Sequence, residues 1–408
     1  MVKKIHKSRI ARISTVPFFI YALLRTQVRA IAATGANVTL ITSPDDLAAL
    51  MKNFDTCQFM PLSIHRDIRS FSDIRSLIQL IRIFRSKKFD IVHSNTPKAG
   101  LLSAIAGRII GVPIRLHTFT GQTWVTMSGF KRTIIKFCDK VIGWLNTHCY
   151  ADSPSQRDFL IKEKVIDSKK ISVLGIGSLG GVDVTRFNAN HFPAEYKNNI
   201  RKMMNINEPN ALILLFLGRI THDKGVRELI DAFSWLLKNK KEGNLCDRPL
   251  QLLMVGPFEQ GIEKDIKAYA KKKCNDRVIF SGLCLEPENF IAIADILCLP
   301  SYREGFGTVV IEAAAMGVPT IGTNIYGLND AVVDGETGLL VEPRNVMQLK
   351  EALTILINNE ALRNSMGEKA KKRALEAFDS RTLDQMMIQE YEKLLESYVD
   401  KSAAGKRF

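Results

Sequence analysis

Short, continuous apolar runs alternate with stretches of helical spacing along the whole chain. Ile10–Thr15 and Val38–Thr42 read as strands, and Tyr21–Ala33 between them as a helix ending at Gly35. Asp67–Lys88 sets Ile68, Phe71, Ile74, Ile78, Ile81 and Phe84 at helical intervals among basic residues, which predicts a basic amphipathic helix. Asp90–His93 and Ile114–His117 are strands on either side of a small-residue helix around Gly100–Gly111. Phe130–Cys149 is helical again. Leu212–Leu217 opens a second series, with further strands at Leu250–Val255, Arg277–Phe280, Ile296–Leu299, Pro319–Gly322 and Leu339–Val341. Arg381–Val399 is a closing amphipathic helix carrying Leu383, Met387, Tyr391, Leu394 and Tyr398, and Lys401–Phe408 reads as a frayed tail. Strands alternating with helices predict parallel, doubly wound sheets whose ligands sit beyond the strand carboxyl ends.

A chain of 408 residues is long for one core, so two domains are expected. The glycine-dense Gly175–Gly181 and the polar Asn188–Asn207 place the boundary at residues 185–205. The domains are then 1–190 and 200–380, with the closing helix at 381–399.

Charge separates the halves further. Residues 1–190 hold 28 lysines and arginines against 12 aspartates and glutamates, while the remainder holds 29 against 30. The +15 net charge therefore belongs to the first half and predicts a polyanionic partner there: nucleic acid, an anionic membrane surface or a phosphorylated acceptor. No nucleic-acid motif and no interleaving of basic with aromatic residues is found, so nucleic acid is not expected. Phe130–Cys149, with Trp124 and Met127 nearby, suits a bilayer surface with its lysines at the headgroups. The reading of much of its apolar face as domain core is preferred, with membrane contact left to its rim and basic residues. No apolar run approaches the roughly 18 residues of a spanning helix. The basic start, Met1–Lys7, leads into a strand, not a signal-peptide core. The seven cysteines are scattered with no C-x-x-C pair, which predicts reduced thiols, a cytoplasmic setting and no structural zinc.

The chemistry concentrates in the second half. Ile296–Pro300 leads into Arg303-Glu304-Gly305-Phe306-Gly307-Thr308, and a helical run carries Glu312. Glycines between strand and helix let backbone N–H groups approach a ligand, and a helix start favours anionic oxygens. Turn chemistry and dipole compensation explain such features equally well when they stand alone. Earlier, Gly218-Arg219 and Lys224-Gly225 follow the series' first strand. They put a planar cationic fork and a point charge where a diphosphate would lie. His93 and His117 end strands in the first half, where a lone histidine is more often structural than catalytic.

Together these stretches resemble the family-4 glycosyltransferases of the GT-B fold. The resemblance rests on Gly218-Arg219 with Lys224-Gly225, on the two glutamates Glu304 and Glu312 with seven residues between them, and on Gly335–Val341. It extends to Val92–Gly100, His117–Gln122 and Gly181–Phe187, which look like segments of the bacterial capsule and O-antigen subgroup. It implies two Rossmann-like α/β domains facing across a cleft, acceptor on the first and sugar-nucleotide donor on the second. By resemblance, Arg219 and Lys224, after Gly218, hold the diphosphate. Glu304 with the backbone of Gly305, Phe306, Gly307 and Thr308 meets the transferred sugar, and Glu312 the ribose. Phe280 and Leu283 flank the base, and His117 approaches the donor sugar. Asn95, Lys98 and Gln122 are implied on the acceptor side.

The implied activity is retaining transfer of a sugar, an N-acetylated one, from a UDP donor to a polyprenyl-diphosphate-linked saccharide. No metal or other cofactor is expected, and the protein is expected at the inner face of the cell membrane. A GT-B epimerase or phosphorylase is the alternative. One departure concerns Ser14–Ile20, which lacks the glycine-rich loop of many relatives; its Pro17 and two phenylalanines read as an apolar wall.

Overall fold

The computed structural model describes residues 5–65, 70–208, 210–243 and 245–403. The basic start before Ile5, the residues Asp67 and Ile68 of the first long helix, and the tail beyond Ala403 lie outside the described residues. Two compact units form, residues 1–181 with 380–408, and residues 182–379.

In the first unit the chain runs β1 (Arg9–Ile13), α1 (Pro17–Leu23), α2 (Arg25–Ala33), β2 (Asn37–Thr42), β3 (Gln58–Pro61), α3 (Ser70–Lys87), β4 (Ile91–Ser94), α4 (Pro97–Ile110), β5 (Ile114–Phe119), α5 (Gly129–Leu145), β6 (His148–Ala151), α6 (Pro154–Lys162) and β7 (Ile171–Val173). The strands form one parallel sheet in the order β3-β2-β1-β4-β5-β6-β7. Successive side chains leave a strand on opposite faces. Ile10, Leu40 and Ile91 accordingly pack with Ile20 and Val28 on one side, while Ala11, Ile41 and Val92 meet Leu80, Phe84 and Leu102 on the other. Apolar residues at consecutive strand positions thus serve two helical layers at once.

Three local readings of the sequence change here. The segment Ser14–Ile20 is loop only as far as Val16: Pro17 starts α1 at its first position, where a missing N–H costs nothing. The helix expected to run through Cys149 stops at Leu145, because His148–Ala151 pairs with β5 and β7. The short strands β3 and β7, at the two edges of the sheet, carry too little apolar patterning to be read from sequence.

The second unit continues with α7 (Ala194–Met203), β8 (Leu212–Leu217), α8 (Val226–Lys241), β9 (Leu250–Val255), α9 (Glu263–Cys274), β10 (Val278–Gly282), α10 (Pro287–Ile291), β11 (Ile296–Leu299), α11 (Thr308–Ala315), β12 (Thr320–Thr323), α12 (Leu328–Ala331), β13 (Gly338–Val341), α13 (Val346–Asn358) and α14 (Glu360–Ala377). Its parallel sheet has the order β10-β9-β8-β11-β12-β13. Every residue of β8, β9 and β11 is buried, which explains the uninterrupted apolar runs of β8 and β11; in β9 only Gln251 is polar, and it donates to Arg277 O at 2.7 Å.

The last helix, α15 (Ser380–Ala403), belongs to the first unit and inserts Leu383, Met387, Tyr391 and Leu395 into its core. A buried polar chain pins it there. Arg12 Nη1 donates to Tyr391 Oη at 2.9 Å and to Gln27 Oε1 at 2.8 Å. Tyr391 Oη also lies 2.7 Å from His93 Nδ1, and His93 Nε2 lies 2.8 Å from Thr118 Oγ1. Burial and the nearby Arg12 hold the His93 imidazole well below its usual value, so the ring is neutral. The tyrosine can then donate to Nδ1 while accepting from Arg12, and Nε2–H donates to the threonine. Tyr391→Phe removes the shared hydroxyl and leaves two buried partners short of a bond. We expect it to lower stability by about 1–3 kcal/mol, read as a lower urea midpoint with an unchanged slope. An unchanged midpoint would show that the chain does not hold α15.

Candidate active site

The strand order of the second unit reverses direction at β8, which has β9 on one side and β11 on the other. The loops leaving β8 and β11 emerge side by side at the carboxyl edge, where ligands of such sheets bind. Lys224, in the short turn after β8, forms an ion pair with Glu304, in the loop after β11. Ser301 Oγ donates to the same carboxylate oxygen at 2.9 Å, fixing its position. Gly225 makes this approach possible. Its φ is +65°, and a Cβ there would stand 2.0 Å from the Pro300 carbonyl oxygen.

A second pair lies alongside. Arg303 meets Asp223 at 2.5 Å, and Asp223 also accepts from Thr221. Burial works against ionisation of Asp223, yet Arg303, the Thr221 hydroxyl, Lys224 and Arg219 together hold its carboxyl below the usual range. Three cations from two loops thus surround one carboxylate. Arg219 itself is exposed, directly after Gly218. Tyr302 donates to Glu228 and is covered by the Arg344 guanidinium, 4.7 Å from its ring centre.

The loop then becomes α11. Gly307 takes the N-cap position at φ +86°, a site closed to larger residues because a Cβ would meet Leu328 at 2.7 Å. No acidic residue occupies the first turn, so the positive end of the helix is left for an anion. Among the four residues Gly305–Thr308, the Phe306 side chain points inward: it is fully buried, its ring 5.2 Å from Phe378. Only its backbone is available to a ligand. One helical turn into α11 stands Glu312, where loss of hydration pushes its carboxyl up to about 7. Arg186 moderates that rise and Glu288 adds to it. These two neighbours are joined by a two-pronged pair, Nε to Oε1 and Nη2 to Oε2, each at 2.7 Å. On β10, Phe280 packs 5.3 Å from Phe258, and Leu283 stands half-exposed just beyond the strand.

The other sequence-derived candidates lie in the first unit, at the carboxyl ends of β4 and β5. His117 is 1% exposed and points to the α4 side, with Nδ1 2.9 Å from Ser94 Oγ and the ring edge-on to Phe119. A Cβ on Gly100 would lie 2.5 Å from its Cε1, so the glycine makes room for the ring. Burial pushes His117 down to about 3. It is a neutral hydrogen-bonding group, not a proton shuttle. Asn95 is buried and accepts from Arg12 Nη2 at 3.3 Å. Lys98 pairs with Asp73 at 2.8 Å, tying the start of α4 to the first turn of α3. Gln122 is buried too, donating to Thr120 O and accepting from Gln156 Nε2 at 3.1 Å, which shapes the loop after β5. Asn95 and Gln122 therefore hold the frame of their loops.

Sequence reasoning passed over Asp223, Arg303, Ser301 and the Arg186–Glu288 pair. Asp223 and Arg303 each adjoin a residue that was singled out, and their opposite charges in two convergent loops were the available signal. Among the described residues no group of three or more metal-ligating side chains gathers. The site offers cations, a helix start and carboxylates, which suit a diphosphate ester bearing sugar hydroxyls.

Known proteins share this architecture. The profile described as "Glycosyl transferases group 1" matches residues 197–373, and that described as "Glycosyl transferase 4-like domain" matches residues 22–177. The chain is similar to the capsular polysaccharide biosynthesis glycosyltransferase CapM of Staphylococcus aureus, with 32% identity over 94% of this chain and 96% of that one. It is 26% identical to the Escherichia coli UDP-Gal:alpha-D-GlcNAc-diphosphoundecaprenol alpha-1,3-galactosyltransferase, over 84% of this chain and 83% of that one. Among solved structures, Anabaena Alr3699/HepE in complex with UDP and glucose superposes with a TM-score of 0.77 at 17% identity, over 95% of this chain and 100% of that one. Two parallel α/β units, a cationic crevice at the strand reversal of the second, and full-length similarity to CapM agree. The chain belongs to the family-4 glycosyltransferases of the GT-B fold, in their capsule and O-antigen branch.

Proposed function

We propose that this glycosyltransferase moves a sugar, an N-acetylated one, from a UDP donor to a polyprenyl-diphosphate-linked saccharide, with retention and without a metal, at the inner face of an anionic membrane. The observation that carries the reading is the Lys224–Glu304 pair at the point where the strand order reverses. The names of the Escherichia coli and Anabaena proteins support the UDP donor, and the former supports the lipid-diphosphate acceptor. An epimerase or phosphorylase is not favoured, since the relatives named are glycosyltransferases.

In this reading Arg219, Lys224 and the N-terminus of α11 take the donor's diphosphate. The acceptor hydroxyl oxygen bonds to the anomeric carbon as that carbon's bond to the diphosphate oxygen breaks, and the hydroxyl proton passes to the departing diphosphate. The protein's share is positioning and stabilisation of developing negative charge. Lys224 exchanges its carboxylate partner for phosphate, which frees Glu304 for the hydroxyls of the transferred sugar. Glu312 accepts from the ribose, and Phe280 and Leu283 flank the base. Asn95, Lys98 and Gln122 border the acceptor.

Lys224→Ala should lower kcat by about 100-fold or more, the scale of losing one transition-state charge partner, measured as UDP released with a synthetic lipid-diphosphate sugar. Full activity in the folded variant would remove the site from Lys224. Donor incubated alone should yield no isomer; an isomer would restore the epimerase reading.

Glu312 gives a pH-dependent test. Only its ionised form accepts two ribose hydroxyls, so UDP affinity should rise between pH 6 and pH 8, through the value of about 7, and be flat in Glu312→Gln. The stability effect has the opposite sign. A carboxyl raised on folding stabilises most below its unfolded value and loses that contribution as pH rises through about 7. Glu312→Gln should therefore melt higher than wild type at pH 8, with the gap closing toward pH 5. Parallel titrations of the two proteins would exclude Glu312 from the ribose site.

A further inference from the structure

The outward faces of α3 and α5 are built the wrong way round for helices in water. On α3 the core takes Leu80 and Phe84, yet Phe71, Ile74 and Ile78 recur at helical spacing on the opposite side, with Phe71 93% exposed. On α5 the core takes Ile142, while Phe130, Phe137 and Trp144 stand 80%, 63% and 78% exposed. A solvated helix normally turns charged residues outward and confines apolar ones to a single stripe. Scattered single hydrophobics on a surface mean little, whereas repeated large ones along two helices of one layer mark a contact surface. Both helices pack against α4, one on each of its flanks.

Charge selects the occupant. Arg75, Arg82 and Arg85 share the exposed side of α3, and Lys131 and Lys140 that of α5. Each helix carries a single acidic residue, and neither faces out. Asp73 is paired with Lys98, and Asp139 is buried, accepting from Trp124 Nε1 at 2.7 Å. A second copy of this chain would bring two cationic faces together. Nucleic acid would leave the isoleucines and phenylalanines without apolar partners. An anionic lipid surface answers both features: apolar side chains enter the acyl boundary while lysines and arginines stay at the headgroups. The stripe from Phe130 to Trp144 runs about 21 Å along the helix, the geometry of a helix lying in the interface plane.

We infer that the α3–α5 face is the surface by which this glycosyltransferase rests on an anionic bilayer. The face borders the acceptor edge of the first unit, because the Lys98–Asp73 pair fastens the start of α3 beside the segment after β4. A lipid-diphosphate headgroup at the interface would thus meet Lys98 without leaving the membrane. That last step rests on the lipid-linked acceptor reading; the docking face itself does not.

Flotation of the full chain with vesicles of mixed phosphatidylglycerol and phosphatidylcholine tests the inference against vesicles of phosphatidylcholine alone. Wild type should float with the former, and Trp144 emission should shift to the blue. The triple variant Phe71→Ser, Phe130→Ser, Phe137→Ser changes only exposed side chains and should keep its melting temperature while losing about tenfold or more in partitioning. Lys131→Glu with Lys140→Glu should lose the preference for phosphatidylglycerol. Equal flotation of wild type and the triple variant, or no flotation of wild type, overturns the inference, as does a lipid-free dimer that the triple variant abolishes. UDP binding, measured by calorimetry on the same proteins, should be unchanged. Its absence in wild type would count against the donor reading and leave the docking face standing.

Discussion

Lys224 and Glu304 lie 80 residues apart in sequence, and their contact exists only because β8 and β11 are neighbouring parallel strands whose loops leave the sheet at the same edge. Most of the second unit can be understood as what that contact requires. Leu212–Leu217 and Ile296–Leu299 must be neighbours, so both are wholly apolar and buried on both faces. The β8 loop must graze the carbonyl of Pro300, so Gly225 carries no side chain. An ion pair withdrawn from water loses hydration that its attraction only partly returns. A site that holds such a pair is poised to exchange one anion for another. Here the glutamate orients the lysine, and Ser301 donates to the same carboxylate oxygen. Orientation gained in advance is what makes electrostatic stabilisation effective during a reaction.

The first unit treats its buried polar groups differently. Arg12, Gln27, His93, Thr118 and Tyr391 form a chain in which the arginine meets amide and hydroxyl oxygens, and the histidine is kept neutral. His117, on the other face of the sheet, is also neutral and serves as an acceptor or donor of fixed orientation. Burial keeps both imidazoles in the neutral form near neutral pH. The economy of charge inside this unit contrasts with the excess on its outer helices. Its cations gather where they can meet something large and anionic.

Much of this was legible in the sequence, and the failures share a cause. The buried strands of the second unit stand out because both faces of each residue pair are apolar, and the motif glutamates fall where a strand–turn–helix passage must place them. The edge strands β3 and β7 carry three or four residues of mixed burial, too few for any period to emerge. Helix α1 was hidden because Pro17 and the phenylalanines beside it look like a break when a helix start is not suspected. The pairings of Asp223 with Arg303 and of Arg186 with Glu288 depend on which loops converge, a fact of topology that no local pattern contains. For α5 the sequence shows two apolar stripes, and only the packed structure decides which one is covered.

That decision bears on how the two units divide their labour. In the second unit three cations are matched, Lys224 by Glu304, Arg303 by Asp223 and Arg186 by Glu288, while Arg219 stands exposed. Such a site has little net field at a distance, and in the proposed reading a nucleotide diphosphate gains its affinity by replacing partners at close range. On the α3 and α5 faces the carboxylates are turned inward or paired, so the field of the arginines and lysines extends into solvent. Salt should then weaken the second kind of contact far more than the first, because screening acts on exposed charges and little on buried pairs. The uneven distribution of charge along the sequence is the trace of this division. The half with the proposed donor site carries balanced charge, and the half with the proposed membrane face carries the excess.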